Sequence, residues 1–263
     1  MTIVLIAVFA YLSATALLVR AVSRDDDQSM SALWLWPAIA AVAAHGGYHL
    51  LAWRAAGGAD MHFFAALSLV GLGMATLTAL FGATGRMRAL GVVVFPLAAI
   101  MLAGYAMVGH KPPEPHDWRL QLHAWCALLA YSTLAIAALL ALMLWLQERA
   151  LRRRKFHGWL RALPPLTELE SLLFRSITVG FVLLSATLLT GVLFVEDLFA
   201  QHLVHKTVLS VLSWLAFGAL LVGRRRYGWR GAIAVRWTLV AMALLGLAFF
   251  GSQFALELVL QRG

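Results

Sequence analysis

Apolar positions along this chain gather into long runs, separated by short clusters that hold most of the charged residues. Eight runs stand out, at about 2–19, 31–53, 62–81, 89–109, 121–146, 172–195, 207–222 and 233–258. A helix needs roughly 20 apolar residues to cross about 30 Å of hydrocarbon, and most of these runs reach that length. Lipid offers the backbone no hydrogen-bond partner, so each run is predicted to be a helix that pairs its own N–H and C=O groups. The pattern predicts an all-α integral membrane protein, a polytopic bundle of about eight transmembrane helices, with residues 1–263 as a single transmembrane domain. The first run has no basic start, and Ala21-Val22-Ser23 is a weak cleavage site, so it reads as a span rather than a removed leader.

Composition agrees with that pattern. Hydrophobic residues make up 62% of the chain and charged residues 13%, and the mean hydropathy is +0.83, whereas soluble domains are about half apolar and a quarter charged. A net charge of +9 raises the question of nucleic acid. The basic residues lie in short clusters between spans, so they are read as orientation signals and as contacts to the lipid bilayer, with no nucleic-acid partner. Placing the loop 147–171 inside puts fourteen Lys and Arg on that side and five on the other, with Arg175 and Arg236 near the inner ends of spans. Both termini are then expected on the outer side, as in a multi-pass protein of a bacterial inner (plasma) membrane whose histidine-rich face looks to the periplasm.

Candidate chemistry rests on histidine. The single cysteine, Cys126, excludes an intrachain disulfide and a multi-cysteine metal site. Of nine histidines, only His157 falls in an inner loop; His45, His49, His62, His110, His116, His123, His202 and His205 lie towards the outer side. Neutral imidazole is well suited to ligating haem iron or a borderline metal. His45 and His49 are four residues apart on one helix face, around Gly46-Gly47. A ring inside a span is costly without a partner, so it marks either a ligand or a hydrogen bond between helices. His123 opens the fifth span, where the helix dipole disfavours the cation and favours a neutral ring. His202 and His205 stand at the matching edge of the seventh span. A zinc or copper site, or a proton relay in a small transporter or accessory scaffold, is the alternative use of these rings.

Four segments carry a resemblance: His123 with Leu128-Leu-Ala-Tyr-Ser-Thr-Leu134, Leu163-Pro-Pro-Leu-Thr-Glu-Leu-Glu-Ser171, Lys206-Thr-Val-Leu-Ser-Val-Leu-Ser-Trp214 leading to Gly228-Trp-Arg-Gly231, and Phe249-Phe-Gly-Ser252. Through them the chain, mainly over 120–258, resembles the cytochrome c assembly membrane proteins of the CcsA/CcmC/HemX type, and within them the small YpjD-like branch. The resemblance implies binding or trafficking of haem, of b type, in cytochrome c or membrane-complex biogenesis, alongside cytochrome c assembly components or another membrane protein. It implies an assembly factor more than a stand-alone enzyme. His123 matches a family ligand to haem iron; His45 is the preferred second iron ligand, with His205 and His49 as further cofactor-binding candidates. The tryptophan-rich motif by which the family's synthetases present haem is absent from 196–205.

Overall fold

In the computed structural model the described parts of the apolar runs are helices. The structure describes residues 1–24, 32–82, 88–110, 117–153, 164–194 and 204–251. Within them lie α1 (Thr2–Arg24), α2 (Leu35–Ala56), α3 (Phe63–Gly82), α4 (Gly91–Val108), α5 (Trp118–Arg152), α6 (Leu166–Phe194), α7 (Val204–Tyr227) and α8 (Ala232–Gly246). A 3-10 turn, Arg88–Leu90, leads into α4, and a π turn, Leu247–Gly251, follows α8. No strand occurs among the described residues.

Seven of these helices are long and apolar enough to cross a membrane, α4 counted from Arg88 and α8 with the π turn to Phe250. The other is α2, whose 22 residues span about 33 Å at about 1.5 Å per residue; its two histidines lower its hydropathy. The chain is an all-α, multi-pass membrane protein, as the run pattern predicts. Helix limits differ from the predicted spans where local chemistry sets them. α6 begins at Leu166, ahead of the predicted 172, because Pro164-Pro165 precedes it. Proline presets the backbone for a first turn, and the N–H groups of Glu168 and Leu169 donate to the Pro165 carbonyl. The predicted end of the last span, 252–258, lies outside the described residues.

The helices fall into two compact units, one holding α1–α4 and the other α5–α8. In the first, buried side chains recur every three or four residues: Val4, Ala7, Tyr11, Ala14 and Leu18 on α1; Ala38, Ala41, His45 and His49 on α2; Ala98, Leu102 and Tyr105 on α4. That spacing is one stripe of a helix. The two α2 histidines therefore face neighbouring helices, while Trp36, Ile39 and Leu50 of α2 are exposed as a lipid-facing surface requires. In the second unit α5 packs along α6, with Leu134, Ala137, Ala141 and Leu144 buried on α5 and Leu169, Leu173, Ile177, Gly180 and Leu184 buried on α6. Gly180 permits the close approach: a Cβ there would sit 2.6 Å from Leu134 Cγ.

The turn between α7 and α8 is Gly228-Trp229-Arg230-Gly231, with φ of 65° at Gly228 and 55° at Gly231, a region that glycine tolerates. The Trp229 ring lies over Gly223 and stacks on Trp237 at 5.7 Å. The Gly231 N–H donates to Glu170 Oε1 at 2.8 Å, and Arg230 Nη2 is 3.3 Å from Glu170 Oε2. Two segments far apart in the sequence, 163–171 and 228–231, are thus joined through one carboxylate.

Candidate functional site

α2 places His45 and His49 one turn apart, both buried. His45 Nδ1 is 3.1 Å from the Tyr11 hydroxyl, and its Nε2 is 2.9 Å from Ser68 Oγ. His49 Nε2 reaches the same Ser68 oxygen at 3.0 Å. A serine hydroxyl has one hydrogen, so Ser68 donates to one ring and accepts from the other. Either arrangement pairs both nitrogens of His45; neither gives His49 Nδ1 a partner, and that buried atom has none. The His49 ring is stacked on Tyr105 at 4.8 Å and on His45 at 5.5 Å.

Tyr105 links this pair to a second group. α2 ends at Gly57, whose φ of 79° turns the chain towards Asp60-Met61-His62 at the start of α3. Asp60 is buried; its Oδ1 accepts the His62 backbone N–H at 3.1 Å and lies 2.6 Å from His62 Nδ1. His110, beyond the end of α4, brings Nδ1 to 3.2 Å from Asp60 Oδ2 and 2.5 Å from the Tyr105 hydroxyl. An imidazole that donates its Nδ1 proton to a carboxylate carries its lone pair on Nε2. Nε2 of His62 and Nε2 of His110 are both buried without a partner.

In the second unit, His123 Nδ1 is 3.2 Å from Thr190 Oγ1. The Thr190 hydroxyl hydrogen is directed at backbone carbonyls, Ala186 at 2.9 Å and Thr187 at 3.0 Å. Its oxygen therefore accepts from His123 Nδ1–H, which leaves the lone pair on Nε2. Gly191 provides clearance beside the ring, since a Cβ there would stand 3.2 Å from His123 Cε1. His205 is exposed on the first turn of α7.

The residues expected to bind a cofactor thus fall into separate settings. His45 and His49 come together in the first unit; His123 and His205 belong to the second. His45 is a hydrogen-bonding residue between helices, with both nitrogens engaged. His116, His157 and His202 lie outside the described residues. Among the described residues, no three His, Cys, Asp or Glu are placed to hold a metal ion. Haem iron needs only one or two imidazole nitrogens, and His123 Nε2 and the unpaired nitrogens of His49, His62 and His110 fit that demand. His62 and His110 stand in the sequence only as members of the outer-side histidine set, while Asp60 and Tyr105 carry no signal of their own as site residues. The one local signal was a carboxylate two residues before a histidine at a helix start, Asp60-Met61-His62.

Comparison with known proteins agrees with the resemblance in the sequence. The chain is 32% identical over 197 residues to Inner membrane protein YpjD of Escherichia coli K12, covering 73% of each chain. It is 30% identical over 249 residues to an uncharacterized 28.8 kDa protein of Azospirillum brasilense, covering 81% of this chain and 92% of that one. Protein HemX of Brevibacillus brevis is 26% identical over 134 residues, 50% of this chain and 49% of that one. No solved structure matches. The profile of the family described as Cytochrome C assembly protein matches residues 30–260, and the chain belongs to that family.

Proposed function

We propose that this protein binds haem, of b type, and hands it on during the biogenesis of cytochrome c or of a membrane complex. The observation that supports this most directly is a set of imidazole nitrogens left without a hydrogen-bond partner inside an apolar helical protein: His49 Nδ1, His62 Nε2 and His110 Nε2. An unpaired buried polar atom costs about 1–3 kcal/mol, so a ligand that fills it has a ready gain. Membership of the cytochrome c assembly family supports haem as that ligand.

His123 would hold iron through Nε2, its ring fixed by Thr190 and cleared by Gly191. In that unit His205 is the candidate second ligand; in the first unit the α2 candidates are His45, which would exchange a hydrogen bond for iron, and His49, whose Nδ1 is unpaired. Bound haem would supply the redox and ligand-exchange chemistry of its iron. The chain itself fixes tautomers through Thr190, Ser68 and Asp60, and burial keeps water from His45, His49 and His62. With the basic loops inside, these histidines would face the periplasm. Cytochrome c assembly components would be the partners.

The test is an absorption spectrum of detergent-purified protein, oxidised and then dithionite-reduced, beside His123→Ala. A Soret band with sharp reduced bands in the native protein, and at most half the haem content in the variant, is expected. Full occupancy of His123→Ala overturns the role of His123, and a native protein that stays featureless after adding haemin overturns the haem reading.

A second reading is favoured by two hydrogen-bonded series of polar groups in the first unit. Tyr11, His45, Ser68 and His49 form one and Tyr105, His110, Asp60 and His62 the other, and the His49–Tyr105 stack sets them side by side without itself passing a proton. Such a series suits a proton relay in a small transporter or accessory subunit. Proton flux into proteoliposomes that is abolished by Asp60→Asn, without haem, would favour it.

A further inference from the structure

Between α5 and α8 lies a groove of about 500 Å³, and no histidine among the described residues lines it. Its lining divides by chemistry. Leu142, Trp145, Val235 and Leu239 form an apolar wall, while Arg149, Arg152, Arg153 and Arg236 stand at the basic end with a single carboxylate, Glu148. Arg152 is 3.6 Å from Glu148, and the Arg149 guanidinium lies 5.1 Å from the centre of the Trp145 ring. Among the described residues, Arg153 and Arg236 have no acidic partner. Four cations beside one anion leave the groove with a net positive charge.

We propose that this groove seats an anionic phospholipid, its phosphate on Arg149, Arg153 and Arg236 and an acyl chain along Leu142, Val235 and Leu239. Charge complementarity selects the headgroup: guanidinium forks match phosphate oxygens in two parallel hydrogen bonds. The apolar wall continuing from the arginines selects an amphiphile over a free anion, and Trp145 has the amphipathic ring that sits at headgroup depth. Among the described residues no histidine, cysteine or methionine lines the groove, so those residues offer haem iron no ligand there.

The experiment is native mass spectrometry of the full, delipidated chain titrated with phosphatidylglycerol or with phosphatidylcholine of the same acyl chains. Phosphatidylglycerol is expected to bind at least about tenfold tighter. The double variant Arg153→Gln/Arg236→Gln is expected to weaken it about 25-fold, because each basic residue near an anionic surface contributes roughly a fivefold gain. Phosphatidylcholine binding should be unchanged in that variant. Equal binding of the two lipids, or no loss in the double variant, overturns the proposal. Displacement of phosphatidylglycerol by millimolar inorganic phosphate would identify a free-phosphate site and also overturns it. A second measurement needs no arginine variant: brominated phosphatidylglycerol should quench the native chain's fluorescence more than brominated phosphatidylcholine. That selectivity should vanish in Trp145→Phe, and its persistence there counts against the groove as the site.

Discussion

Ser68 has one hydroxyl hydrogen and two imidazoles to serve, and that constraint fixes complementary proton positions on His45 and His49. Replacing it by alanine strands two Nε2 atoms in an apolar interior. Ser68→Ala should therefore destabilise the protein by about 1–2 kcal/mol, since a stranded polar group costs about 1–3 kcal/mol and bilayer-embedded hydrogen bonds measure near the low end. Unfolding in graded dodecyl sulfate would show the loss; an unchanged midpoint would mean the rings find other partners. Thr190 acts on His123 in the same manner, from the next helix. Removing such an orienting partner from a metal-binding imidazole typically costs 10–100-fold in affinity. Thr190→Val should weaken haem binding by at least about tenfold in an absorbance titration, while Thr190→Ser retains it; a valine variant that binds like the native chain would deny Thr190 that role. None of these partnerships was legible in the sequence: His45 and His123 were visible as candidates, but their nitrogens are assigned by Tyr11, Ser68 and Thr190, which carry no signal of their own.

Between elements, one carboxylate ties α6 to the turn that precedes α8. Glu170 accepts the Gly231 N–H and faces Arg230 across 3.3 Å. These contributions are unequal. The Arg230 side chain is 64% exposed, so its ion pair is worth at most about 1 kcal/mol. The hydrogen bond from a backbone N–H to a buried charged oxygen is worth about 1.5–3 kcal/mol. Glu170→Gln, which keeps an acceptor, should lose less thermal stability in detergent than Glu170→Ala, by a margin of roughly 1 kcal/mol. Equal losses would assign the effect to charge instead. Tyr131 performs a related task for the end of α8, donating its hydroxyl to the Leu245 carbonyl at 2.6 Å beside the π turn. The sequence displayed Tyr131, Glu170 and the Gly-Trp-Arg-Gly turn as separate motifs, because linear order does not record which turn a side chain reaches.

For the whole molecule, the basic loops should set the direction of insertion. With fourteen Lys and Arg on one side and five on the other, a carboxy-terminal alkaline phosphatase fusion should be active and a green fluorescent protein fusion dark. The reverse pattern would invert the proposed orientation and turn the histidines to the cytoplasm. At this scale the sequence was decisive about helices: runs of apolar residues must pair their own backbone in lipid, so eight helices follow from the pattern before any contact is known. It was decisive about family too, because the quoted segments are recognisable one by one. It did not decide what the histidines do. Ligation and hydrogen bonding both suit a buried imidazole, and the choice depends on which groups lie within about 3 Å of each nitrogen. Only the tertiary structure supplies those groups, by packing Tyr11 and Ser68 against His45 and by bringing His62 before α3 and His110 after α4 onto the same Asp60. Helix formation is settled by each segment's own backbone, whereas proton positions and unpaired nitrogens are settled by neighbours remote in the chain.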